Sequence, residues 1–206
     1  ASDVYKRQQY SLLDNPTGIE VAAGQQLIVM ADLKGQSVSL RVQNLDRPNG
    51  DGFGGDSYPI STGVNKIDIT NKGLVYVMYH TDNFASAPDV RMHFATGTVN
   101  GYYDSQRPDH EGRAHELLDA ATGKYFDVVG AYAHLIFPTE RFRNHTHDLK
   151  ELIDAYDALV YREQEFIGLE KYGKMFHNRM CFTVMYTSYM YSTSYHTAYH
   201  LSLIHI

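Results

Sequence analysis

Between Thr17 and Phe94, apolar side chains recur at every second position in short runs, each broken by Gly, Pro, Asn or Asp. Val38, Leu40 and Val42 alternate with Ser37, Ser39 and Arg41, Ile67 and Ile69 alternate with Lys66, Asp68 and Thr70, and Val90, Met92 and Phe94 repeat the pattern. A period of two turns one face of a strand to a core and the other to water, and no helix can satisfy it. Leu74 to Tyr79 is apolar at every position, which marks a central strand covered on both faces. Strands spaced this regularly predict an antiparallel β-sandwich over residues 9–96. The Gly- and Asp-rich stretch Asn44 to Pro59 reads as a mobile hairpin tip. The five-residue spacing of its Asp46, Asp51 and Asp56 does not match the alternating ligands of a compact calcium loop.

After Gly97 the pattern changes, and residues 97–200 form a second unit of mixed, helix-rich character. Gly112 to Ala121 reads as a short helix, and Ala131 to Phe137 as a buried strand stopped by Pro138. A long helix starts after Asp148, which forms a capping box with Glu151. Leu149, Leu152, Ile153, Tyr156, Leu159, Val160, Phe166 and Ile167 mostly keep helical spacing, so the helix is expected to cover about 24 residues and to stop at Gly173. Met180 to Met185 returns to a strand pattern, and the Tyr-rich run to His200 looks extended. The fold class is therefore α+β.

Charge narrows the partners. With a net charge of −6 the chain suits neither nucleic acid nor an anionic lipid surface. The single cysteine, Cys181 between Met180 and Phe182, excludes an internal disulfide and reads as a small buried hydrophobe. No apolar run approaches the roughly 18 residues that span a bilayer. There are 17 tyrosines and no tryptophan, and the tyrosines crowd between Tyr186 and Tyr199. Tyrosine has an apolar body and a polar tip, so such a cluster suits a half-wet cleft as well as a sheet face.

The residues that could carry chemistry are few. His110-Glu111-Gly-Arg-Ala-His115 resembles a zinc helix, but its histidines are five apart instead of four, which turns the second some 140° away around a helix. It is expected to be a solvated loop and helix start. His196 and His200 have the four-residue gap, yet Thr197 stands where a general base belongs, and along a strand they are roughly 13 Å apart. His145 and His147 read as exposed cap-region residues. Glu163 and Glu165 point to nearly opposite sides of a helix and form no acid-base pair.

Several phrases in one order carry a family resemblance: DNPTGIEVAAGQQL (Asp14 to Leu27), KGLVYVMYHT (Lys72 to Thr81), MHFATGTVNGYYD (Met92 to Asp104), FDVVGAYAHLIFPT (Phe126 to Thr139), GLEKYGKMFHNRM (Gly168 to Met180) and the Tyr-rich run. Together they resemble the N-terminal portion of the enhancin-like, mucin-degrading zinc metallopeptidases of the M60 type. The resemblance implies a β-sandwich packed on the start of a zincin-like catalytic subdomain. It also implies a secreted or bacterial surface protein that hydrolyses peptide bonds in O-glycosylated substrates. In that family zinc is held by a His-Glu-x-x-His helix and a later Glu, and none of these positions can be matched here. No catalytic or metal residue is therefore carried over, and no zinc is expected in this chain itself. By likeness to zincin-type peptidases, where a sheet edge before the metal helix pairs with extended substrate, Tyr195, His196 and Tyr199 are expected to line one wall of the cleft. Packing of their rings in the core is the competing expectation.

Back-translated, ASDVYKRQ and LSLIHI read as the two directions of one sequencing adapter. Residues 1–8 and 201–206 are thus expected to be non-native, and the native stretch Gln9 to His200 to be cut ahead of its zinc helix. A glycan-binding or adhesive β-sandwich module with a helical extension is the alternative reading.

Overall fold

The computed structural model describes residues 2–5, 15–46, 54–80, 86–176, 178–186, 190–192 and 196–200. Two antiparallel sheets occupy the first half. One contains β1 (Ser2–Tyr5), β8 (Val90–Phe94), β3 (Gln26–Asp32) and β6 (Gly63–Asp68), in that order. The other runs β5 (Gly55–Ile60), β4 (Val38–Gln43), β7 (Gly73–Met78), β2 (Pro16–Val21) and β9 (Thr98–Val99). The alternating positions read from the sequence face inward: Val38, Leu40 and Val42 of β4, and Val90 and Met92 of β8, are buried, as are Ile67 and Ile69 at the end of β6. Side chains from both sheets share this core, with Leu27 and Val29 of β3 beside Leu40 of β4 and Val75 of β7. Asn44 to Pro59 forms the β4–β5 hairpin, whose residues 47–53, with Asp51, lie outside the described residues. Ser2–Tyr5, expected to be non-native, pairs antiparallel with β8 at the sheet edge.

The second half is built on a six-stranded mixed sheet, ordered β10 (Tyr103–Asp104), β11 (Tyr125–Val129), β12 (Ala133–Pro138), β13 (Met180–Met185), β15 (His196–His200) and β14 (Met190–Ser192). A short 3-10 turn at Pro108–His110 leads to helix α1 (Ala114–Ala120), and α2 (Thr139–His145) and α3 (Leu149–Phe166) follow β12. One face of this sheet packs under α2 and α3. Phe126 meets Phe142 at 6.4 Å between ring centroids, and Phe182 meets Tyr156 of α3 at 4.8 Å.

Helix α3 opens as the sequence predicts, with the Asp148 carboxylate accepting from the backbone N–H groups of Lys150 and Glu151. It is shorter than expected, 18 residues in place of about 24. Gly168 takes φ +82°, while the N–H of Leu169 reaches back to Gln164 O and that of Gly168 to Glu165 O. These two bonds are a Schellman stop, so the helix ends one glycine earlier than its apolar spacing suggests. Helix α2 was not foreseen, because Pro138 reads as a stop although its fixed φ suits the entry to a helix. Its Arg143 donates to the carbonyls of Leu118 and Ala121, which closes the C-terminal end of α1.

Strand β7 joins the two halves. Val75 and Val77 enter the core of the first two sheets, whereas Leu74 and Tyr76 enter the core beneath the six-stranded sheet. The run of apolar residues is thus a strand covered on both faces, third of five in its sheet. Burying Tyr76 completely requires a partner for its hydroxyl, which donates to Asp127 of β11 at 2.8 Å. His134 Nε2 of β12 lies 2.8 Å from the same carboxylate oxygen, and all three residues are sealed from solvent. A second link sits at the surface, where Asp46 binds Lys72 at 2.9 Å and also pairs with Lys124 beside β11.

Three outcomes are expected from these contacts and from the α3 cap. Tyr76→Phe leaves a buried acceptor short of one donor and should cost about 1–3 kcal/mol in chemical denaturation. Asp127→Ala should cost more, since it strands Tyr76 and His134 together; a neutral Tyr76→Phe would deny the network its role. Asp148→Ala should remove about 1 kcal/mol through loss of the cap, read by the same titration.

Candidate substrate-facing strands

Parallel pairing places β15 directly beside β13, with Cys181 opposite His196, Phe182 opposite Thr197 and Val184 opposite Tyr199. β14 returns antiparallel on the far side, opposing Met190 to Tyr199 and Ser192 to Thr197. Among the described residues the edge on this side of the sheet is therefore β14 and not β15. Met190 is 60% exposed there, and the hydroxyls of Ser192 and Thr197 meet across the pair at 3.0 Å. An open strand edge of this kind offers backbone donors and acceptors to an extended peptide.

The three residues singled out in the sequence fall unevenly. Tyr195 lies outside the described residues. His196 opens β15. Tyr199 is half-buried on the helix-covered side, its ring 6.2 Å from that of Phe137 in an edge contact. The phenol of Tyr156 on α3 lies near the Tyr199 hydroxyl. Burial, together with the nearby Tyr199, pushes the Tyr156 phenol up to about 12, and burial beside Glu163 raises that of Tyr199. Both stay protonated at neutral pH, so Tyr199 can present a hydroxyl but not a phenolate base.

The other histidines are placed differently from one another. His110 is 7% exposed, which corrects the expectation of a solvated position at that residue, whereas Glu111, Gly112 and Arg113 are exposed as read. Its Nδ1 accepts the backbone N–H of Asp104 at 3.0 Å, and its ring stacks on Tyr103 and meets Tyr102 edge-on. A buried ring held by a backbone donor cannot also hold a metal through that nitrogen. Burial, with Arg107 close by, lowers the His110 pKa and keeps the ring neutral at physiological pH. Helix α1 starts only at Ala114, and His115 is exposed upon it. His145 and His147 are exposed, as read.

Residue spacing alone does not reveal the polar groups that the fold gathers around Asp46. Burial acts to raise its pKa, but hydrogen bonds from Lys124 and Lys72 hold it below the usual carboxylate range. The Tyr125 hydroxyl lies 3.1 Å from Asp46 and 3.0 Å from the Tyr186 hydroxyl. These partners come from three separate stretches of chain, so no local motif announces them. Asp46, Lys72, Lys124 and Tyr125, with Glu20, Gln43 and Leu74, line a cavity of about 130 Å³. Asp56, the other described carboxylate of that hairpin, accepts from Asn71 at 2.9 Å. Among the described residues no three His, Cys, Asp or Glu side chains stand together as a metal site.

No protein-family model and no curated protein matches the chain. Solved structures do. A metallopeptidase in complex with Tn antigen superposes with a TM-score of 0.87 at 26% identity, covering 98% of this chain and 42% of that one. A metallopeptidase from Bacteroides thetaiotaomicron gives 0.87 at 27% identity, covering 98% of this chain and 38% of that one. The M60 catalytic domain of Clostridium perfringens ZmpC, in complex with sialyl T antigen, shares the fold at a TM-score of 0.77 and 15% identity, over 91% of this chain and 43% of its own. The chain thus spans less than half the length of each of these structures. Over nearly all of that span its structural relatives are the M60-type metallopeptidases, whose α+β architecture it shares.

Proposed function

We propose that this chain is the front part of the catalytic region of an enhancin-like zinc metallopeptidase, which when complete hydrolyses peptide bonds in O-glycosylated, mucin-like proteins outside the cell. The observation that carries this reading is the 0.87 TM-score to two metallopeptidases at 26% and 27% identity, over 98% of the chain. That one of them holds Tn antigen, a glycan, supports a glycoprotein as substrate. The core shared by the first two sheets supports their reading as a face-to-face sandwich on which the second unit rests.

The described residues do not fit a zinc site, since no three candidate ligands converge. By the family likeness the metal and its activated water are assigned to polypeptide outside the described residues, and the chain alone is expected to be inert. Its own part is positional. Among the described residues the parallel β13–β15 pair leaves β14 at the edge, and Tyr199 of β15 packs edge-on against Phe137. The likeness to zincin-type peptidases supports the reading that Tyr195, His196 and Tyr199 line one wall of the cleft.

The test is a longer expressed chain that carries the downstream reading frame. It should bind zinc and cleave a peptide bearing O-linked GalNAc, and a chelator should abolish the cleavage. Residues 1–206 alone should do neither. A longer chain that binds the glycopeptide but holds no zinc and cuts nothing would establish the adhesive module instead. In the active chain, Tyr199→Phe should raise KM or lower kcat about 2–10-fold, the worth of one hydrogen bond, with little change in melting temperature. Unchanged kinetics together with a lowered melting temperature would assign Tyr199 to packing alone.

A further inference from the structure

Arg179, just ahead of β13, is a buried cation without a counter-charge among the described residues. It is 3% exposed. Its Nε donates to the carbonyl of Gly130, its Nη1 is buried with no hydrogen-bond partner, and it makes no ion pair among the described residues. Burying a guanidinium costs several kcal/mol unless an anion compensates it, so a native arginine in this position calls for one.

The neighbouring carboxylate does not meet that need. Asp157 of α3 grips the same turn from another side, its Oδ2 accepting the N–H of Ala131 at 2.7 Å and its Oδ1 those of Tyr132 and Ala133 at 2.7 and 2.8 Å. With three backbone donors it has no close pairing to offer Arg179. The turn between β11 and β12 is thus locked by Asp157, while Nη1 of the guanidinium has no partner among the described residues.

We infer that Arg179 is the cationic half of an anion site whose occupant is a carboxylate. A guanidinium whose buried Nη1 lacks a partner is matched by a carboxylate oxygen in a charge-assisted bond, and a single negative charge neutralises it without excess. Two sources share this chemistry, namely a Glu or Asp side chain from polypeptide beyond the described residues and a soluble carboxylate ligand. The inference is independent of peptidase activity, and its test reads stability.

Thermal unfolding of residues 1–206 is measured in sodium formate and in sodium chloride at equal ionic strength and neutral pH, for the wild type, Arg179→Met and Arg179→Lys. Formate should raise the wild-type Tm by about 2–4 °C over chloride, as expected for a weak ligand of the folded state. The rise should vanish in Arg179→Met and shrink in Arg179→Lys, which keeps the charge but loses the fork. No formate-specific rise in the wild type would overturn the site, as would an equal rise in whichever variants fold. In a longer chain the sources separate. A side-chain carboxylate predicts that the formate effect disappears and that Arg179→Met now lowers Tm, whereas a soluble ligand predicts that the formate effect persists.

Discussion

The structure depends on a single strand having two buried faces. β7 sends Val75 and Val77 into one core and Leu74 and Tyr76 into the other, so the two halves of the chain cannot separate without exposing one set. Apolar packing alone would let the halves slide, because it has no direction. Tyr76 removes that freedom, since its buried hydroxyl has a partner only where Asp127 stands, and Asp127 is held in turn by His134. The network therefore fixes the position of β11 and β12 against the first half with an accuracy that a hydrophobic seam could not supply.

That fixed frame orders the far end of the six-stranded sheet. β12 pairs parallel with β13, and β13 pairs parallel with β15, so the register set at Tyr76 is carried strand by strand to the Tyr-rich run. Parallel pairs demand long connections. The α2–α3 segment supplies the one between β12 and β13, and it covers the sheet face on which Phe137, Phe182 and Tyr199 lie. The same helix anchors the β11–β12 turn through Asp157. One side of the sheet thus packs on helices and the other meets β7, and among the described residues β14 and the two-residue β10 form its edges.

Much of this was legible in the residues. The two-residue alternation identified β4, β6 and β8, the continuous apolar run identified β7 as central, and Met180–Met185 was read with its observed bounds. Asp148 was legible as a cap because its side chain acts on a backbone two and three residues away. Local signals failed where two of them competed. Gly168 and Gly173 both take left-handed backbone, and apolar spacing favoured the later one, although the earlier one ends the helix. Pro138 ends a strand and begins a helix, and its fixed φ serves both.

The site was less legible than the fold. His110 looked like part of a metal motif or a solvated loop, and only the packing of Tyr102 and Tyr103 around it shows a buried ring that accepts a backbone proton. The sequence by itself determined strand periodicity, helix caps, the acidic balance and the family likeness, because each is carried by residues close together in the chain or by their order. Tertiary structure alone decided that Tyr76, Asp127 and His134 meet, that Asp46 gathers two lysines, and that β14 is the edge strand. Each of those is a contact between distant segments, set by which strands pair and in what register, and no local spacing encodes it.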